Sequence, residues 1–234
     1  MPPIDLPSDL LNYLAQGDYQ PGDRLPTLSE LGQEEHLNLS ISKIREQLEV
    51  ARALGLVEVR SKTGMRLKPF SFTPAIRLTV LYAMARDISN FDEFKSLRVH
   101  MESAYWLEAC QKLTPADKDL MQEQVEIAGK KLANNRWIQI PHEEHRKFHL
   151  TIFKNLENPF VTGLLEAYWD AYEAVELNRY ADYAYHQEVW KYHERILEHI
   201  CAQEYETARD LFVEHTGLLR VQPRMQHLSA DDSD

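Results

Sequence analysis

The stretch that most constrains this chain is Leu39–Leu54, LSISKIREQLEVARAL, together with what flanks it. Ile44, Leu48, Ala51 and Leu54 recur at the helical interval, so one stripe of a single amphipathic helix faces a core. Ser40 stands where an N-cap is needed, and Gly55 is the residue a helix most often uses just past its C-terminus. The opposite face opens with Ser40, Ser42, Lys43, Arg45 and Gln47. These hydroxyls, amides and cations can reach phosphates and base edges from the first two turns.

The flanks narrow the reading. Thr27–Glu35 has the pattern of a short helix, with Thr27 as N-cap and Glu30 completing a capping box. The connection His36–Leu39 separates the two helices, as a helix-turn-helix requires. Leu56–Arg60 and Met65–Lys68 read as short strands around Ser61-Lys62-Thr63-Gly64, a hairpin wing. Lys62, Gly64 and Arg66 at its tip suit close approach to a phosphate backbone. Each element alone would be an ordinary core-packed helix or hairpin. The ordered set, with basic side chains on its exposed elements, predicts binding to double-stranded DNA.

A formal charge of −11 argues against a nucleic-acid partner unless it is unevenly spread. It is. Between residues 40 and 68, Lys43, Arg45, Arg52, Arg60, Lys62, Arg66 and Lys68 outnumber Glu46, Glu49 and Glu58 by four, whereas residues 69–234 carry −9. Salt screens charges beyond roughly 8 Å, so local sign decides which surface meets DNA. Cys110 and Cys201 cannot build a disulfide framework and read as ordinary buried thiols of a reducing compartment. MPPIDLPSDL has neither the cations nor the apolar run of a signal peptide, and no stretch has the apolar length to cross a bilayer. A cytoplasmic protein without a membrane partner is expected.

At 234 residues the chain has room for two domains. Residues 5–16 read as a short helix closed by Gly17, followed by a turn-rich connector through Pro21-Gly22 to Arg24. Lys68–Pro74, with two prolines and no helical period, is the expected border, although its two phenylalanines should pack onto something. Beyond it, Thr73-Pro74, Thr114-Pro115, Pro141 and Asn158-Pro159 announce helix starts. Helices are expected near 74–87, 90–112, 115–134, 141–155, 159–179, 183–202 and 204–219. The fold class is therefore mainly α. A winged helix-turn-helix domain spans 1–68, a linker 69–74, an all-α antiparallel bundle of about seven helices 75–221, and a disordered acidic tail 222–234.

These residues resemble a known family. PGDRLPTLSEL at 21–31, SISKIREQLEVARALGLVEVR at 40–60 and the Gly64 wing are similar to the winged helix-turn-helix of GntR-family transcription regulators. The helical remainder resembles the ligand-binding domain of the FadR subfamily. Arg98 and Glu102 match its Arg-x3-Glu pattern, and residues 148–160 and 192–219 match two further blocks. Two departures stand out: Ile41 replaces the arginine usual after the first serine, and Lys43 replaces a small residue or proline. Arg45 matches the family's DNA-contacting arginine. The residues and the resemblance together give an expected DNA-binding set of Arg24, Thr27, Ser40, Ser42, Lys43, Arg45, Lys62, Gly64 and Arg66.

The same resemblance implies a divalent metal held by an Asp-x3-His pair and two later histidines. The matching positions are His145, His149, His193 and His215, with histidine in place of the aspartate. Residues four apart share a helix face, so His145 and His149 can serve one ion, and His142 competes with His145 for that place. Four imidazoles suit zinc, nickel or another first-row ion better than magnesium or calcium. His186, seven before His193, is expected near the same pocket, and Arg98 is expected to grip a carboxylate. A homodimeric regulator, a repressor as most members of the family are, would then answer to a small organic acid bound by Arg98 and the metal. Two other readings remain open: a sensor of the metal alone, and a helical-bundle metalloenzyme. The latter lacks both the Glu-x-x-His and the zinc-protease patterns.

Overall fold

The computed structural model describes residues 4–33, 35–133, 139–175 and 183–218; the expected tail at 222–234 and Tyr180 lie outside them. Within them the chain is mainly helical. The elements are α1 (Asp9–Gln16), α2 (Leu28–Leu31), α3 (Ile41–Ala53), β1 (Val57–Arg60), β2 (Gly64–Leu67), α4 (Thr73–Arg86), α5 (Asn90–Gln111), α6 (Pro115–Ala133), α7 (His142–Phe153), α8 (Pro159–Ala174), α9 (Tyr183–Cys201) and α10 (Tyr205–Thr216). Two compact units form: residues 4–98 with 156–171, and residues 99–155 with 172–218. Residues 69–74, the expected linker, fall within the first.

In the first unit, Leu10, Leu14, Leu25, Leu31, Ile44, Leu48, Ala51, Val57 and Met65 form one core beneath α1, α2, α3 and the wing. The helix starts are set by side chains. Ser8 accepts the Leu11 N–H, so α1 begins later than the expected residue 5. Thr27 and Glu30 form both bonds of the capping box on α2. That helix stops at Gly32, shorter than expected, and Asn38 adopts a left-handed φ of 50° in the turn before α3. At the end of α3, Gly55 has φ +73°, with its N–H on the Arg52 carbonyl (2.9 Å) and the Leu56 N–H on that of Ala51 (2.9 Å). This pair of bonds satisfies two carbonyls that the helix end leaves over.

Beyond the wing the first unit continues without slack. A Cβ at Gly55 would lie 2.5 Å from Pro74, so α4 starts against the end of α3. A Cβ at Gly163 would meet Phe72 at 2.8 Å, so glycine there lets α8 approach the chain before α4. Phe70 and Phe72 pack on Phe160 with ring centroids 5.6 and 5.4 Å apart, the partner expected for them. Thr73 is not the cap of α4: it is the first helical residue, and its hydroxyl bonds Glu166 instead.

The second unit is held at its helix ends. Thr114 and Asp117 form a capping box at the start of α6, with bonds of 2.9 and 3.3 Å. The same Asp117 carboxylate accepts Asn155 at 2.7 Å and pairs with Lys154, both just past α7, while Asn155 also donates to the Lys112 carbonyl. Trp106 donates from Nε1 to the Tyr205 carbonyl (2.8 Å) and packs on Phe212. Cys110 is buried, and burial pushes its thiol up to about 12; Cys201 is exposed, contrary to the expected pair of buried thiols.

Burial alone would raise the Asp117 carboxyl, but the bonds from Lys154, Thr114 and Asn155 together hold it well below the usual carboxylate range. A depressed folded pKa contributes stability that is complete above the unfolded value of about 3.9 and is lost as pH falls below it. Asp117→Asn should cost roughly 1.5–3 kcal/mol at neutral pH and flatten the acid limb of the stability–pH curve. Urea unfolding from pH 7 to pH 3 reads both; an acid limb unchanged from wild type would exclude Asp117 as its source.

Candidate DNA-reading head and histidine centre

Helix α3 shows two chemically distinct faces. Ile44, Leu48 and Ala51 are buried, and Leu54 is half-buried. Gln47, grouped by sequence with the outward face, is buried as well. Its Oε1 accepts the Leu10 N–H at 2.7 Å and the Ser8 hydroxyl at 3.0 Å, and its Nε2 donates to Asp9 at 2.9 Å. It ties α3 to the start of α1 and is unavailable to DNA.

Ser42, Lys43 and Arg45 are exposed in the first turns of α3. The Ser40 hydroxyl caps the helix by accepting the Lys43 N–H, and Lys43 Nζ lies 3.1 Å from Glu46. Arg52 and Arg60 likewise sit beside Glu49 and Glu58. No carboxylate among the described residues pairs with Arg45. Thr27 is engaged in its capping box. The wing strands pair antiparallel from Val57↔Leu67 to Arg60↔Gly64, leaving Lys62 exposed at the tip. Residues 22–25 lie along the outer edge of β2: Leu25 and Gly22 donate to Met65 and Leu67, and Arg24 bridges Arg66. The Arg66 guanidinium donates to the Gly22 carbonyl (2.6 Å), so this cation also braces the wing.

In the second unit, α7 supplies His145 and His149, α9 supplies His193 and α10 supplies His215. One ring nitrogen from each lies within 4.8 Å of the other three. His149, His193 and His215 are buried and His145 is half-buried. The Nε2 atoms of His149 and His193 are 3.0 Å apart, and the His149 and His215 rings stack. His215 Nδ1 lies 2.7 Å from the Phe212 carbonyl; as its donor it places the ring's proton on Nδ1 and makes Nε2 the ligating nitrogen. Phe148 and Trp190 close on His193, with ring centroids at 4.6 and 4.7 Å. Nitrogens bound to one ion at about 2.0–2.1 Å lie roughly 3–4 Å apart, so this group fits an ion with small side-chain adjustments. His142 and His186 are not among the four; His186 is buried beside Tyr185 instead.

Arg98, on α5, belongs to the first unit. It is buried, with its guanidinium 4.3 Å from the centroid of Tyr168 and 5.2 Å from that of Trp169. Residues 93–218 match the family model of the FCD domain. The chain belongs to the GntR family, FadR type. This regulator is 25% identical to the uncharacterized HTH-type transcriptional regulator YieP of Escherichia coli K12 over 173 residues, covering 71% of this chain and 73% of that protein. It is also 25% identical over 152 residues to the HTH-type transcriptional regulator LutR of Bacillus subtilis 168, covering 65% and 67%. Among solved structures, its fold is similar to that of Streptococcus agalactiae GntR, at 19% identity and a TM-score of 0.63 over 89% of this chain and 94% of that one.

The regulator is thus a DNA-binding transcription regulator with an FCD ligand-binding domain, and its relatives are regulators, not enzymes. That sets aside the metalloenzyme alternative. No helix among the described residues is long and apolar enough to cross a membrane. Sequence reasoning missed the bracing contacts: the Phe212 carbonyl behind His215 leaves no sequence signal, and the pair of half-buried Lys131 with buried Glu144, both carboxylate oxygens at 2.8 Å, looks like two surface charges.

Proposed function

We propose that this regulator acts as a cytoplasmic homodimer that represses by setting two α3 helices into successive major grooves of a near-palindromic operator. A small carboxylate metabolite, bound in the C-terminal helical domain, changes operator affinity because it binds one arrangement of the protein better than the other. In this reading residues 1–68 read DNA, 69–74 connect, and 75–221 hold the effector and the dimer contact. The observation that carries the DNA half is Arg45: exposed on the outward face of α3 and opposed by no carboxylate among the described residues.

The effector half rests on the histidine group. His145, His149, His193 and His215 would hold a divalent first-row ion, zinc or nickel before magnesium, because every donor is a nitrogen. Such an ion supplies a Lewis-acidic centre for an anionic oxygen. Because His145 replaces the family's aspartate, the protein itself contributes no anionic ligand among the four. Arg98 is the proposed partner for the effector's carboxylate, its guanidinium lying over the Tyr168 and Trp169 rings. The same all-nitrogen set favours one second reading, in which the ion alone is the effector.

Arg45→Ala should weaken operator binding by roughly 1–3 kcal/mol in an anisotropy titration at fixed salt, and unchanged affinity would remove Arg45 from the interface. Protein purified without added metal should carry about one first-row ion per subunit by elemental analysis, and clearly less after His193→Ala; metal-free protein in both cases would make the histidines structural. A carboxylic acid that stabilises the protein in a thermal-shift screen should lose that effect in Arg98→Ala while operator binding persists. If chelation alone switches operator binding and no acid does, the metal-only reading replaces this one.

A further inference from the structure

A lone exposed isoleucine on an ordinary surface needs no explanation. Ile41 is not on an ordinary surface. It is the first residue of α3 and 45% exposed, flanked by the Ser40 cap and by exposed Ser42, Lys43 and Arg45. The first turn of α3 contains no carboxylate, so the positive end of the helix is left open toward a polyanion. Ile41 is also not among the residues that form or cover the core of the head. The molecule therefore keeps one branched hydrocarbon among hydroxyls and cations, on the end of the helix that meets base edges in a helix-turn-helix.

An isoleucine side chain has no hydrogen-bonding atom, so it cannot read the donors and acceptors that distinguish most base-pair edges. The major groove offers it one apolar feature, the C5-methyl group of thymine. We propose that Ile41 is a specificity-determining residue that packs against a thymine methyl in each operator half-site. This rests on the DNA-binding reading and adds to it a base for which Arg45 does not account. Arginine at this place would instead seek guanine, so an operator read with Ile41 differs there from one read with arginine.

The test begins with duplexes enriched from a random pool by the full-length protein. In the best duplex each thymine is replaced singly by uracil, which removes the methyl and leaves every polar edge unchanged. Wild type should lose about fourfold in affinity at one thymine per half-site, the factor that burial of one methyl-sized group is worth. Ile41→Ala should bind the thymine and uracil duplexes equally, and Ile41→Val should keep most of the difference. Ile41 is outside the core, so these variants leave folding intact. A selected duplex that is bound tightly but tolerates uracil at every thymine overturns the proposal and leaves the DNA-binding reading standing. So does a uracil effect that persists undiminished in Ile41→Ala. Failure to enrich any duplex overturns both.

Discussion

A helix can present one face to DNA only if its other face is gripped firmly enough to stop it rolling or sliding. In α3 the grip has two parts. Ile44, Leu48 and Ala51 supply apolar burial, which resists separation but is tolerant of small rotations. Gln47 supplies direction, because its amide binds three groups at the start of α1 and each bond is sensitive to angle. The Leu10 N–H it accepts is one of the donors every helix start leaves over, so the bond completes α1 while fixing α3. By fixing the rotation of α3, Gln47 sets which way Arg45 and Ser42 face.

The head was largely legible in its sequence because its signals are local. The Thr27–Glu30 box, the Ser40 cap, the apolar stripe and Gly55 each act within one or two turns, and all are found where spacing puts them. Gln47 was misread for the complementary reason. Its neighbours in sequence are polar and exposed, and its partners lie some forty residues away on a helix that spacing cannot dock. The border at 69–74 was read from prolines, which report backbone stiffness but not packing. Phe72 and Pro74 join the first compact unit because they meet Phe160 and Gly55.

The histidine centre was legible in halves. Spacing alone pairs His145 with His149. The arrival of His193 and His215 depends on how three helices pack, which the family resemblance supplied and periodicity could not. His186 shows the limit of the face argument: seven residues keep roughly the same side of a helix but climb about 10 Å along it, so a shared face is not a shared site. Phe148 and Trp190 pack on His193 and Phe212 packs on His149, so aromatic rings line the buried side of the group while half-buried His145 stands at its open side.

The contact between Gly55 and Pro74 has a mechanical meaning. The left-handed glycine that finishes α3 is also the hollow into which the first proline of α4 fits. A proline ring cannot flex about its own φ, and this glycine has no side chain to act as a cushion. The start of α4 is therefore seated on the tail of α3 with no compressible group between them, and α4 cannot come closer without displacing that proline. The join works as a peg in a socket, and any side chain at residue 55 would fill the socket.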